Sequence, residues 1–500
     1  MQDILINIGA GERRVAILRS KKLEWYFVEK VSEQRIVGNV YKGKVSAVLN
    51  GMGAAFIECG LEKNGFLYID DIVAPKTDGI DSDEVDSDQK NKRPDSNQKI
   101  TDILKKNQDI MVQVTKEEIG TKGARLTSHI SLPGRYLVLM PFSKRIGVSR
   151  KIRDDDERKR IKSVLHEIKL PKDMGLVART AAVGGTKRDF IRDVRYLLSI
   201  YNSINRLEKK EKAPKLIFEE HDIALKIMRD FVNDETSNVY VDDKHEFNRI
   251  RSFTNKITPQ YKNKIKLYTD ITPLFEKHDI EKEIAKLFER KIYLKCGGYI
   301  TIEQTEGMIA IDVNSGRFTG KKNLEDTIFR VNQESAEEIA RQLRLRDIGG
   351  IVIIDFIDME VKAHRDKIFS LLNQALRKDK ARTNIISFSE LNVVELTRQR
   401  VRKSLESSSY ENCPYCHGKG MVKSDEAMVT SALRKVKEFL KTNKAKRMTV
   451  EVIAHPRIAK RLVNEDAKAI DKLKKAFRRR ISITSNDEFH VEDIEIKATR

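Results

Sequence analysis

Cysteine is scarce in this chain, with four in 500 residues, and Cys59 and Cys296 stand far from the single close pair, Cys413 and Cys416. That spacing excludes a disulfide scaffold and fits a reducing cytoplasm. Long apolar runs are missing too. No stretch approaches the roughly 20 residues of a membrane span. The start, "MQDILINIGAG", lacks a basic n-region and a true h-region, so it does not read as a signal peptide. No internal repeat is evident. What the chain does have is positive charge, +21 net with a pI near 9.5. A surface so basic points to a polyanion, nucleic acid first and anionic membrane second, although a generally solvated basic surface has the same composition. Its length is too great for one core, so several domains are expected.

The first residues alternate like strands: Ile4, Ile6 and Ile8, then Val15 and Ile17, then Trp25 to Val28. Short strand-like pieces divided by glycines follow, "GNVYKGKVSAVLNGMGAAFIECG", "NGFLYIDDI" and "ILKKNQDIMVQVTKEE". Many short strands with glycine corners suggest a small barrel of the OB type. The stretch "PKTDGIDSDEVDSDQKNKRPDSNQK" has almost no apolar residue and reads as a disordered insertion. A helix is predicted over about 187–212, with a stripe of Ile191, Val194, Leu198, Tyr201 and Ile204, and residues 216–287 read as mostly helical. From 288 onward a glycine corner, a strand, a charged helix and an apolar strand give α/β grammar, and a small basic α/β tail ends the chain.

Two strands carry the chemistry. In "GMIAIDVNSGR", Ile309, Ile311 and Val313 share one face, and Ala310, Asp312 and Asn314 share the other. In "GIVIIDFIDM", Asp355 closes a five-residue apolar run. A carboxylate in or just after a buried strand is costly unless it is paired or bound to metal. If the two strands are neighbours, Asp312 and Asp355 meet, and a cation is the natural third party. All-oxygen ligands favour Mg²⁺ over zinc. Asn314 would orient a phosphate or a water, and Asp358 is the reserve carboxylate. The alternative is that each Asp caps a helix or binds a loop amide. The helix between them, rich in Glu and Arg, reads as a solvated or interdomain face.

Phe56 and Phe66 fall on adjacent barrel strands, with Tyr68 on the face of Phe66, a pattern that suits base stacking as well as core packing. Lys42, Lys44, Lys116 and Lys122 are candidate backbone contacts. In "GLVARTAAVGGTK", Arg179 and Thr180 end a strand before a glycine pair, where a guanidinium and a hydroxyl can grip phosphate.

Taken in order, "YKGKV…AAF…GFL", "KEEIGTKGARLTSHISLPGRYLVLMP", "MGLVARTA", "KIKLYT", "AIDVNSG", "EEIARQLRLRDIGGIVIIDFIDM" and "CPYCHGKG" resemble the bacterial ribonuclease E/G family from residue 1 to about 420. The resemblance implies a multidomain α/β and α+β fold. Its parts are an RNase H-like subdomain (1–36 and 216–287), an OB-fold RNA-binding domain (37–118, with a flexible insertion at 76–99) and a 5′-sensor domain (119–215). A DNase I-like catalytic subdomain (288–410), a zinc-link (411–420) and a small dimerisation domain (421–500) follow. It further implies Asp312, Asp355 and Asn314 as the Mg²⁺ site, and Gly123, Arg179, Thr180 and Arg382 as a 5′-monophosphate pocket. Phe56, Phe66 and Lys116 or Lys122 match the RNA-binding positions.

The implied activity is metal-dependent endonucleolytic cleavage of single-stranded RNA to 5′-phosphate and 3′-hydroxyl ends, in rRNA and tRNA processing and mRNA decay. The insertion departs from the family pattern. No long scaffold tail follows the small domain, so degradosome assembly is not expected and the short, ribonuclease G-like form is the closer match. The rival from another class is a non-catalytic RNA-binding or ribosome-assembly protein, which would not need the aspartate pair.

"CPYC" is also a glutaredoxin-type tetrapeptide, but here a polar loop precedes it and a glycine turn follows, which is the grammar of a zinc knuckle. Two thiolates leave a zinc site half built. A second copy of the chain completes it across a two-fold axis, giving a dimer or, if dimers pair, a tetramer. His417 is the alternative third ligand.

Overall fold

The computed structural model describes residues 1–30, 32, 35–73, 85–86, 99–118, 123–305, 307–316, 324–400, 404–443 and 449–499. They form two compact units, Met1–Leu405 and Glu406–Arg500. The β-rich start of the chain becomes three antiparallel strands, Gln2–Gly9, Glu12–Arg19 and Lys22–Lys30. The first of these pairs in parallel with Thr236–Val241, which in turn pairs with Ile265–Leu267. One five-stranded sheet therefore joins the chain's first thirty residues to a segment more than two hundred positions later. That segment is mostly helical, as expected, with Ile223–Asp230 and Lys244–Ile257 its longest helices, but it also supplies two strands that the sequence reading did not separate out. "NVYV" and "KIKL" are half-apolar β-branched runs that complete the sheet's core with Ile4, Ile6, Val239 and Val241.

Everything between those two parts is inserted. Strands Val40–Leu49, Ala54–Glu58, Gly65–Tyr68, Arg125–Thr127 and Asp109–Lys116 pair in that order, and Val40–Leu49 closes the ring on Asp109–Lys116. This is a five-stranded barrel of OB-like form. Its closing strand lies beyond 118, past the boundary drawn from sequence, because "ARLT" follows a glycine corner and is too short to register as a strand alone. Inside are Tyr41, Val45, Ile57, Leu67, Val112 and Leu126. Gly43 faces inward where an added Cβ would meet Ile57 Cγ2 at 2.4 Å, so only glycine fits. Of the insertion at 76–99, Val85–Asp86 is a short strand on Ile146–Ser149. Apart from that strand and Lys99, the insertion lies outside the described residues.

A second sheet, with Leu137–Met140 and Gly175–Ala178 at its centre, packs against helices Asp155–His166 and Lys187–Lys210. The long helix buries Phe190, Val194, Leu197, Tyr201 and Ile204, with Ile191 and Leu198 at the margin of the stripe. Asp193 is also buried in it. Its carboxylate accepts the backbone N–H groups of Arg135, Tyr136 and Leu137 at 3.0, 2.8 and 2.9 Å. A Cβ on Gly134 would stand 2.5 Å from Asp193 Oδ2, which explains the glycine of "LPGRYL". Burial pushes the Asp193 carboxyl up, while the three N–H donors pull it down.

The last sheet of the first unit runs Lys291–Tyr293, Tyr299–Gln304, Met308–Asn314, Gly350–Asp355, Val393–Arg398, Thr383–Ile386. Helices Leu324–Leu345 and Lys362–Leu376 cover one of its faces. The charged face of Leu324–Leu345 is an interior seam. Arg341 Nη1 donates to Leu23 O at 2.9 Å, Arg344 pairs with Glu24 at 3.0 Å, and Arg346 Nη2 donates to Glu289 O at 2.7 Å. In the second unit, Thr449–Ala454 lies between Arg480–Ser485 and Ile494–Thr499, packed against helices Asp425–Thr442, Pro456–Val463 and Ala467–Phe477. Among the described residues no helix is long and apolar enough to cross a membrane.

Replacing Asp193 with Ala strands three backbone donors in the interior, at about 1–3 kcal/mol each. The expected loss is at least about 3 kcal/mol. Denaturant unfolding and amide exchange at Arg135, Tyr136 and Leu137 measure it, and protection that persists at those amides would refute the account.

Candidate active site

Strand Met308–Asn314 runs parallel to Gly350–Asp355, joined over the core by the helix Leu324–Leu345, and Asp312 is the register partner of Asp355. Ile309, Ile311 and Val313 face the core and are buried, as their alternation indicates, while Asp312 and Asp355 are exposed on the opposite face. The apolar run before Asp355 is thus covered on one side only, with Ile351 half exposed. The cost that a wholly buried carboxylate would carry does not apply.

Asn314 Nδ2 donates to Asp312 Oδ2 at 2.6 Å and fixes that carboxylate. Partial burial, then the charges of Asp312 and Asp358, raise the Asp355 carboxyl above its ordinary range. Asp358 sits in the following loop, where Asn392 Nδ2 reaches it at 3.4 Å. That loop is anchored by Asn332, fully buried, whose amide exchanges two hydrogen bonds with the backbone of Ile357 at 2.8 and 3.2 Å. Among the described residues neither Asp312 nor Asp355 makes an ion pair, and no group of three or more His, Cys, Asp or Glu stands ready for a metal.

Arg179 follows the strand Gly175–Ala178, and Thr180, exposed, opens a short turn after it. Arg179 Nη1 donates to Gly134 O and to Asp230 Oδ1, both at 2.6 Å. Among the described residues, Nε and Nη2 of Arg179 have no hydrogen-bond partner. Arg229 also binds Asp230, at 3.1 and 3.3 Å, and Lys380 Nζ donates to the Asp230 carbonyl at 2.8 Å. The loop holding Lys380 and the exposed Arg382 is thereby brought to Arg179 through one aspartate. Burial opposes ionisation of Asp230, but Arg179, Arg229 and Lys380 outweigh it and hold the carboxyl far below the usual range. Gly123 packs against the barrel residue Asn64, where an added Cβ would meet Asn64 O at 2.0 Å, so no side chain fits at that position.

On the barrel, Phe56 and Phe66 are register partners on its outer face, half-buried, with ring centroids 5.4 Å apart. Phe66 lies 4.4 Å from Tyr68, over which Arg125 sits at 5.4 Å. Lys116 is exposed and Lys44 half-exposed on the same barrel. Lys42 is otherwise engaged. Its Nζ donates to Glu208 O and Glu211 O at 2.9 and 3.1 Å, closing the end of the long helix, so it is not a free contact for a ligand. Lys122 lies outside the described residues.

In the second unit, Cys413 is exposed and Cys416 half-buried in a tight turn. His417 N donates to Cys413 O at 2.8 Å and Gly420 N to Cys416 Sγ at 3.2 Å, with His417, Gly418 and Gly420 all at positive φ. Backbone N–H groups of Cys416 and Tyr415 lower the Cys413 thiol. Burial pushes the Cys59 thiol, inside the barrel, up to about 12. Cys296 sits in the turn before Tyr299, not in a strand. No strand enters the "CPYC" turn, and the next helix begins at Asp425, so the strand–turn–helix geometry of a dithiol redox centre is missing.

The model of the "Ribonuclease E/G family" matches residues 131–401, more than half of the chain. The chain belongs to that family. A model described as "RNase E/G, Thioredoxin-like domain" matches residues 412–499. Similar proteins include Ribonuclease G of Salmonella typhimurium (strain SL1344), 39% identical, and Ribonuclease G of Escherichia coli (strain K12), 38% identical; each comparison covers 94% of both chains. Ribonuclease E of Haemophilus influenzae is 36% identical over 97% of this chain and 51% of its own. As a ribonuclease E/G family member this chain is an endoribonuclease. Within the family framework, sequence reasoning missed Asp230 and Asn332. Both lie in helical stretches, "IMRDFV" and "RVNQES", where a polar residue beside apolar ones was the available signal.

Proposed function

We propose that this endoribonuclease cleaves single-stranded RNA with metal assistance at Asp312 and Asp355, leaving 5′-phosphate and 3′-hydroxyl ends. The observation that carries the reading is the parallel register that sets the two carboxylates side by side on the open face of one sheet, without an ion-pair partner among the described residues. Partial burial, and after it the charge of Asp312, raise the Asp355 carboxyl, and a divalent cation between the two would relieve their repulsion. Two carboxylates with room for water suit Mg²⁺, which takes few protein ligands and keeps its waters. Bound there, Mg²⁺ would supply Lewis acidity toward a phosphodiester oxygen and a lower pKa for water. Asn314 holds the Asp312 carboxylate in one orientation and presents its amide to the phosphate.

The remaining parts of the reading follow the family pattern. Arg179, Thr180, Arg382 and Gly123 form the pocket for a 5′-monophosphate, which favours RNA carrying that end. It is supported by the unused Nε and Nη2 of Arg179 and by the Arg382 loop held to Asp230. Phe56 and Phe66 stack bases on the barrel, with Lys116 or Lys122 on the backbone. The inserted barrel, the flanking sheet and the open sheet act as OB-fold, 5′-sensor and DNase I-like parts around an RNase H-like sheet. Cys413 and Cys416 hold one Zn²⁺ jointly with the same pair of a second copy, making a dimer. The substrates are rRNA and tRNA precursors and mRNA in the cytoplasm.

Asp312→Asn and Asp355→Asn should each abolish cleavage of end-labelled single-stranded RNA, as should EDTA, while RNA binding stays within a few-fold. A variant that cuts at the wild-type rate in saturating Mg²⁺ would overturn the metal assignment.

Arg179→Ala should lower the preference for 5′-monophosphorylated over 5′-hydroxylated RNA by about ten- to a hundredfold, the worth of one charge-assisted bond. Phe56→Ala and Phe66→Ala should weaken binding of both RNAs alike. Measuring the two substrates side by side separates the effects, and a wild type indifferent to the 5′ end would remove the pocket.

Zinc analysis should give one metal per two chains, and changing both Cys413 and Cys416 to Ser should yield monomers by solution mass. One zinc per chain, or a dimer surviving both changes, would rule out the shared site.

A further inference from the structure

The open face of the catalytic sheet continues beyond the aspartates toward its edge. Tyr293 pairs with Tyr299, and Tyr299 with Asn314, in one row across three strands. The adjacent row is Lys291, Thr301, Asp312 and Asp355. Ile292 and Ile300, which alternate with these residues, pack on the core, so Lys291, Tyr293, Tyr299 and Thr301 share the face of the carboxylates. At the 4.7–4.9 Å spacing of strands, Tyr293 stands about 10 Å from Asn314.

Tyr293 is 71% exposed on a strand, where its ring contributes nothing to the core. The centroids of Tyr293 and Tyr299 lie 6.2 Å apart with their planes tilted by 57°. Lys291 Nζ sits 3.5 Å from the Tyr299 centroid and 5.2 Å from that of Tyr293. Tyr299 therefore acts as a cation–π rest that holds the ammonium beside the open ring. On its other flank Tyr299 borders Gly316, where an added Cβ would lie 3.4 Å from the ring. A free aromatic face, a positioned cation and two carboxylates on one surface match a nucleotide: a base, its phosphate and the bond to be cut.

We propose that Tyr293 stacks a base of the RNA close to the scissile phosphate, with Lys291, steadied by Tyr299, pairing with the neighbouring phosphate. This rests on placing the chemistry at Asp312 and Asp355. Stacking reads no hydrogen-bond edge, so the ledge positions the strand for cleavage without requiring a particular base.

The test uses full-length protein and single-stranded RNAs carrying 2-aminopurine at successive positions around one cleavage site, bound to the Asp355→Asn variant. One position close to the cut should be quenched, and adding Tyr293→Ala should restore its fluorescence. In the otherwise wild-type enzyme, Tyr293→Ala should raise KM about five- to a hundredfold with kcat little changed, and Tyr293→Phe should behave as wild type. Lys291→Gln should reduce the salt slope of binding by about 0.7. Quenching that ignores Tyr293→Ala would overturn the ledge, as would a Tyr293→Ala protein whose only change is its mass in solution, the mark of a subunit contact. The catalytic reading fails separately: Asp312→Asn and Asp355→Asn proteins that still cut would remove it, while Tyr293-dependent quenching would keep the ledge as an RNA site.

Discussion

Asp230 is the group on which the first unit's inserted and framing parts depend. It closes a helix of the long-range sheet, accepts from Arg179 at the end of the inserted sheet, and lends its carbonyl to Lys380 from the open sheet. Arg229 beside it reaches Glu220 and the carbonyl of Pro133, and Arg135 returns a bond to the carbonyl of Arg229. Taking charges out of water is costly, and removing one partner of such a cluster typically costs about 3–5 kcal/mol. The cluster is therefore better understood as fixing orientation than as adding stability. It ties Arg179, proposed above to bind the RNA 5′ end, to the loop that leads back into the open sheet.

The open sheet solves a different problem. Its carboxylates are placed by backbone hydrogen bonds between parallel strands, with the apolar core on the other face. Asn332 and Asn314 then trim the result, one holding the loop after Asp355 and the other holding Asp312 itself. The ladder, and not a cage of side chains, holds the two carboxylates together, which is the arrangement the proposed cation site relies on.

Much of this was legible in residue order. The alternation of Ile309, Ile311 and Val313 with Asp312 and Asn314 marked which way each side chain faces, and glycine corners announced the barrel. Other features left no local trace. Arg125–Thr127 is too short to have a period, and the sheet-completing strands 236–241 and 265–267 sit among charged helices that mask them. Asp230 meets Arg179 and Lys380 at separations of 51 and 150 residues, which no window along the chain can contain. Lys42 looked like a free cation because a helix end that needs closing is invisible until the helix is seen. The half-exposed Ile351 belongs to the same class, since an apolar run does not say how many of its faces are covered.

The pairing of Gln2–Gly9 with Thr236–Val241 has a consequence for biogenesis. At translation speeds of about 5–20 residues per second, the first strand emerges roughly ten to fifty seconds before its parallel partner exists. For that interval the opening hairpins present an unfinished edge, while the barrel and the inserted sheet behind them can already close. Ribosome-bound chains shorter than about 240 residues thus carry an N-terminal segment that must be sheltered, by its own turns or by a chaperone, until the sheet is complete.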